Sequence, residues 1–283
     1  MIDTRFDTIS TRREGRVMFV TLDNAPVNAL SAYAMQELRQ LLSAVRDDET
    51  VAVIVFESAN PGYFIAHVDM NLGEQMDVLG ELAAESPEGV NVFQAVGELL
   101  RNQPQVTIVK LAGIARGGGA EFVAAADMTF AARETARIGQ IESLMGIVPS
   151  GGGTQYLVER VGRNRALELV LTGDAVDADT AALYGWINRA IPADELDAFV
   201  DQLAHNIADL PVGVIAGAKR ILAPVMPLEG YQREEAEWSA LIGQPSAGTL
   251  MAGSLQRGAQ TPEGERDLEG LLRQIAREAA TDN

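Results

Sequence analysis

The chain has no cysteine, which removes disulfides, thiolate nucleophiles and zinc–cysteine sites together. It has two histidines, His67 and His205, too few for a histidine-rich metal centre, so no metal site is expected. Basic residues are scarce: 22 Lys and Arg stand against 40 Asp and Glu, a formal net charge of −18. A surface of that sign repels polyphosphate and anionic lipid at long range, so neither nucleic acid nor membrane is an expected partner. A small anionic ligand would need a local cationic patch or a helix N-terminus. No run approaches the roughly 18 apolar residues of a spanning helix. The opening "MIDTRFDTISTRREG" has no apolar centre and no cleavage pattern, so it does not read as a secretory leader. The expectation is a cytoplasmic protein.

What remains is a chain of 283 residues, 47% hydrophobic, long enough for one large domain or two small ones. "GRVMFVTLDN" (15–24) reads as a strand entering a loop. "SAYAMQELRQLLSAVRDD" (31–48) has helical apolar spacing, with Ser31 as N-cap. "TVAVIVFESA" (50–59) is a β-branched, buried strand. Asp69 is placed to cap a helix start, and residues 73–90 read as a loose acidic stretch, either a mobile surface segment or an irregular helix. A helix over 90–103 precedes a strand over 106–113, then strands at 128–133 and 136–142. Beyond that point the segments read as helices bounded by Gly, Pro or Asp. Alternating strands and helices followed by helices alone imply an α/β core with a helical C-terminal part.

Two glycine triplets carry the chemistry. In "LAGIARGGGAEFVAAAD" (111–127), Gly117–Gly119 separate a strand from a helix, which aims unpaired helix N–H groups at whatever lies beyond the strand. The spacing fits neither a Walker loop nor a dinucleotide fingerprint. Read alone, a glutamate at Glu121 complements the helix dipole; in apolar company its carboxyl also suits acid–base work. "GQIESLMGIVPSGGGTQYL" places Glu142 just after a strand and just before Gly151–Gly153. Two such carboxylates facing one cleft can divide acid and base roles, whereas Glu142 alone could be a solvated loop residue.

In order, these segments resemble the crotonase superfamily, the enoyl-CoA hydratases and isomerases. "LDNAPVNALSAYAMQELRQLL" resembles the family's N-terminal strand–loop–helix, with Asn28-Ala29-Leu30 on its Asn-Ala-Leu. "FIAHVD" (64–69) resembles Phe-x-Ala-Gly-Ala-Asp, and "GIARGGGAE" (113–121) resembles Gly-x-x-x-Gly-Gly-Gly-x-Glu. Residues 138–192 resemble the family almost throughout. The resemblance implies an α/β spiral of ββα units, with a core over 1–200 and a C-terminal helical trimerisation region over 201–283. It implies a homotrimer or a dimer of trimers.

It further implies an acyl-CoA thioester as substrate, with coenzyme A entering as part of the substrate and no separate cofactor. The Val68 and Gly118 N–H groups would form the oxyanion hole, beside Gly117. Glu121 would handle the water and Glu142 the α-proton. Ala25, Val27 and the backbone around Ala66 would hold coenzyme A, with Lys219 and Arg220 as candidate cationic contacts. Both glutamates together favour hydration over isomerisation or carbon–carbon hydrolysis, and over a non-catalytic acyl-CoA-binding role. Several positions depart from the pattern, among them Ile141, where proline is common, and the segment from about 240 onward. His67 replaces a glycine, and reads either as an exposed loop residue or as a substrate contact. Arg116 replaces an apolar residue, free to pair with Glu121 or another acid, to bind a polar acyl group, or to cover a surface.

Overall fold

The computed structural model describes residues 6–281. Strands β1 (Ile9–Glu14) and β2 (Val17–Leu22) form a hairpin, and helix α1 (Ala32–Arg46) follows. Next come β3 (Val53–Ser58), β4 (Tyr63–Ile65), α2 (Met76–Ala84) and α3 (Val92–Arg101). Then β5 (Val106–Leu111), β6 (Ile114–Arg116) and α4 (Gly118–Ala125) form one unit. The next unit is β7 (Met128–Ala132), β8 (Arg137–Gly139), α5 (Gly153–Val161) and α6 (Arg163–Thr172). The chain continues through β9 (Val176–Asp177), α7 (Ala178–Tyr184), β10 (Arg189–Ile191) and α8 (Leu196–Ala208). Four helices finish it: α9 (Val214–Ile221), α10 (Leu228–Ile242), α11 (Pro245–Gln256) and α12 (Leu268–Thr281).

The pairs β3/β4, β5/β6 and β7/β8 each send their longer first strand to one sheet and their short second strand to another. The first sheet has the order β1-β2-β3-β5-β7-β10, and the second β4-β6-β8-β9. In the first, only the β1–β2 pair is antiparallel. Its central strands "VMFVTL", "VIVFES" and "VTIVKL" are buried almost continuously, as parallel strands covered on both faces must be. Helix α8 packs across β2, β3, β5 and β7, so the division expected near residue 200 falls inside a helix that covers the sheet. Phe56 of β3 meets Phe122 of α4 edge-on at 5.1 Å, an arrangement aromatic pairs favour. That contact seats the first helix turn after the glycine triplet directly on the core.

Several elements differ from the sequence expectation. Strand β1 is an exposed, charged edge with only Ile9 buried. Such an edge resists pairing with other chains, and it carries no apolar alternation to reveal it. Of the two readings of residues 73–90, the helical one holds for residues 76–84, which form α2. The region expected to be all helix also contains β9 and β10, and β10 joins the first sheet beside β7. Asp69 opens no α-helix: it accepts the Asn71 N–H at 2.9 Å and the Gln75 amide at 2.6 Å, holding a turn before α2. Ser31 does cap α1, accepting the Ala34 N–H at 3.1 Å.

Candidate active site

One half of the site is built by the loop after β2. Asn28 is buried with φ +52°, a left-handed conformation that asparagine tolerates better than most residues. Its side chain accepts the Asn24 N–H at 2.7 Å and donates to Ser58 Oγ at 2.7 Å, which fixes the loop. Leu30 then pairs with the segment after β4: its N–H donates to His67 C=O at 2.8 Å, and its C=O accepts the Asp69 N–H at 3.0 Å. In a parallel bridge of this kind the flanking residues, 67 and 69, make the bonds, so the N–H of the residue between them faces the other way. The Val68 N–H therefore points out of the ladder.

The other half comes from the β6–α4 junction. The Gly117 N–H donates to Gly139 C=O at 2.9 Å, and Gly117 has φ +51°, a conformation open to glycine. A side chain there would also stand 2.8 Å from Glu142 Oε1. Gly118 is the first residue of α4, so its N–H has no intrahelical acceptor. Among the described residues neither the Val68 nor the Gly118 N–H donates to a protein acceptor. The two residues are adjacent in space: a Cβ built on Gly118 lies 2.5 Å from Val68 Cγ2.

Both carboxylates reach this point. The position of a Gly117 Cβ is 2.8 Å from Glu142, and that of a Gly118 Cβ is 3.9 Å from Glu121 Oε2. Glu121 Oε1 accepts the N–H groups of Gly151 and Gly153 at 2.8 and 3.1 Å. The N–H groups of Gly152 and Thr154 go instead to Glu234 of α10, at 2.9 and 3.0 Å. The second glycine triplet is thus an amide nest shared by two buried acids. With its amide turned as its neighbours require, Gln140 donates to both oxygens of Glu142, at 3.2 and 3.0 Å. Burial, then the charges of Glu142 and Glu234, pushes the Glu121 carboxyl well above the ordinary range. Burial likewise raises Glu142 to about 7. Two close, buried carboxyls do not both ionise easily, so such a pair retains a proton near neutrality. Beside Glu121 and Gly118 lies a cavity of about 20 Å³ walled by Leu30, Met35, Phe93, Val96 and Phe122.

Other expected residues lie differently. His67 is buried, not exposed. Its Nε2 lies 2.8 Å from Glu265 Oε1 and its Nδ1 2.7 Å from the Val68 carbonyl oxygen. Arg116 is also buried and pairs neither with Glu121 nor with an open pocket. Its guanidinium is bound by Glu265 and Glu269. Ala25 is exposed, whereas Val27 and Ala66 are buried together with Tyr63, and the Ala66 N–H donates to Val27 C=O at 3.3 Å. Neither Val27 nor Ala66 exposes any surface. Lys219 is held by Asp127 at 2.6 Å, and Arg220 is exposed. Gln140, Glu234 and Glu265 were not identified from sequence. A buried glutamine one turn from Glu142 carries no spacing signal, and Glu234 and Glu265 are two acids among 40.

Two undonated backbone N–H groups and two buried carboxyls thus meet on an alternating ββα core of the crotonase type. The sequence matches the enoyl-CoA hydratase/isomerase family over residues 12–240, and the chain belongs to that family. It is 31% identical to the 2,3-dehydroadipyl-CoA hydratase of Escherichia coli K12, over 74% of this chain and 79% of that one. It is 30% identical to the short-chain-enoyl-CoA hydratase of Clostridium acetobutylicum, over 74% and 78%. A crystal structure from Streptomyces avermitilis, named as a candidate enoyl-CoA hydratase, superposes with a TM-score of 0.95. It is 63% identical and covers 96% of this chain and 100% of that one.

Proposed function

We propose that the protein adds water across the 2,3 double bond of a 2-enoyl-CoA thioester. The observation that carries this reading is the pair Glu121 and Glu142 beside two undonated N–H groups. The thioester oxygen accepts from the Val68 and Gly118 N–H groups. Glu121, its Oε1 already holding two backbone donors, takes a proton from water as the hydroxyl bonds to the β-carbon. The π electrons move to the thioester oxygen, where fixed donors stabilise the enolate more than the ground state; one such donor is typically worth about 3–4 kcal/mol. Glu142 then delivers a proton to the α-carbon as the carbonyl re-forms. Side chains and backbone of the chain supply every proton transfer and the carbonyl polarisation, so the reaction as written uses coenzyme A as part of the substrate and no separate cofactor. The apolar walls near Glu121 are what an acyl group would meet.

A homo-oligomer, a trimer or a dimer of trimers, accompanies this reading. Val212, Ile221, Leu222 and Val225 around α9 are at least four-fifths exposed, and an apolar patch of that kind marks a contact surface. No helix among the described residues is long and apolar enough to cross a membrane.

The test is the loss of enoyl-thioester ultraviolet absorbance with 2-enoyl-CoA, run beside a 3-enoyl-CoA that reports isomerisation. Glu121→Gln and Glu142→Gln should each lower turnover at least about a hundredfold, as expected of an acid–base residue. Near-normal hydration in both variants rejects the assignment, and turnover of the 3-enoyl substrate alone makes the enzyme an isomerase.

A further inference from the structure

The two oxyanion-hole donors come from chain segments that the sheet joins only part of the way. The β4–β6 ladder ends at the pair Ile65–Ala115, and Val68 and Gly118 each stand three residues beyond it. Between the end of the ladder and the donors lie two residues that depart from the family pattern, His67 and Arg116. Both side chains meet the same carboxylate, that of Glu265 in the short 3-10 turn Gly264–Asp267 before α12.

Glu265 is fully buried, and every oxygen it has is used. Its Oε1 accepts from His67 Nε2 and from the Gln260 N–H, each at 2.8 Å. Its Oε2 accepts from Arg116 Nη1 at 3.1 Å, and its carbonyl accepts from Arg116 Nη2 at 3.1 Å. Glu269 completes the guanidinium, accepting from Nε at 2.8 Å and Nη2 at 3.0 Å. Gln260 extends the grip past Val68: its amide donates to Asp69 Oδ1 at 3.0 Å, and its oxygen accepts the Met70 N–H. The segment 260–269 therefore holds the Val68 strand at residues 67, 69 and 70, and the Gly118 strand at residue 116.

We infer that Glu265 is a positioning residue that sets the separation of the Val68 and Gly118 N–H groups by bridging His67 to Arg116, an inference that rests on the acyl-thioester reading of the site. It touches no reacting atom. A guanidinium gripped by two carboxylates in a fixed fork has little freedom to shift, and a catalytic donor is useful only within about half an ångström of its place. The C-terminal segment is thus part of the catalytic apparatus of its own chain. A glycine in place of His67 and an apolar residue in place of Arg116 could not form this bridge.

The experiment uses the full-length protein with Glu265→Gln, which keeps the shape but loses the charge and one acceptor. Three quantities are measured: kcat and KM for a 2-enoyl-CoA, the thermal midpoint, and the Kd of a saturated acyl-CoA compared with its thioether analogue, which lacks the carbonyl oxygen. The expected result is a kcat lower by roughly 10–100-fold with KM and thioether affinity within about threefold, and a thioester-over-thioether preference reduced at least about tenfold. A folded variant with unchanged kcat and unchanged preference overturns the inference, as does an equal loss of affinity for both analogues, which is what a merely loosened fold would give. If Glu265→Gln does not fold, His67→Gln removes one arm of the bridge, and the same ratio decides. The ratio needs no turnover. A chain that ran a different acyl-CoA reaction would fail the hydration assay and still answer this question.

Discussion

Adding one methyl group at Gly118 tests the geometry of the site most directly. A Cβ there would stand 2.5 Å from Val68 Cγ2 and 3.5 Å from Leu30 Cδ2. Carbon atoms pack at about 3.5–4.0 Å, so about 1 Å must be absorbed between the two residues proposed to donate to the oxyanion. Val68 is β-branched and stiff at χ1, and its strand is pinned by the Leu30 bonds on either side. The α4 N-terminus is seated on the core through Phe122. The displacement therefore falls on the donors. A donor works only within about 2.7–3.1 Å of the developing oxyanion, and losing one lowers kcat by about 10²–10³, or about 2.7–4 kcal/mol. Gly118→Ala should show that loss in the enoyl-thioester absorbance assay. Trimming the opposing side chain in Gly118→Ala/Val68→Ala should recover at least about tenfold of it, because the clash and not the methyl itself is the cause. A single variant within about threefold of the parent refutes the placement of the hole. A double variant no better than the single one refutes the clash as the mechanism.

Three further outcomes follow from the same coordinates. The Glu142 carboxyl is raised from 4.5 to about 7 chiefly by burial, so between those pH values the folded state binds more protons than the unfolded one and stability declines as pH rises. The thermal midpoint of the parent should fall across that window more steeply than that of Glu142→Gln; parallel curves would contradict it. Glu234 is one of the charges that raise Glu121, so Glu234→Gln should move the pH profile of kcat/KM to lower pH, and an unmoved profile would count against the shared nest. Ser31→Ala removes the cap of α1, with an expected loss of about 1 kcal/mol in denaturant unfolding; no loss would mean that water replaces the cap.

The family and the α/β core were legible because each rests on local chemistry, and the two glutamates stood out as candidates beside their glycine triplets. A β-branched run such as "VAVIVFES" has few alternatives to a buried strand. The bare triplet at 117–119 announces close approach to backbone, and the later triplet marks where a second carboxylate could be received. Other features had no local signal. Strand β1 is polar or charged at every residue but Ile9, and α2 lies in an acidic stretch whose helix owes little to pattern. His67 looked like a loop residue because loops are usually solvated, and its partner lies 198 positions away.

The sequence by itself determined which groups were available: two acids, the glycines that let a ligand reach the amides, and a strand order able to carry them. Tertiary structure alone decided what those groups do to one another. It gave alternate amides of Gly151–Thr154 to Glu121 and Glu234, turned Gln140 onto Glu142, and brought Glu265 between His67 and Arg116. The physical reason is that a hydrogen bond or an ion pair acts over a few ångströms of space and not along the chain. A buried carboxylate has its protonation and its work set by neighbours that the chain supplies from distant positions.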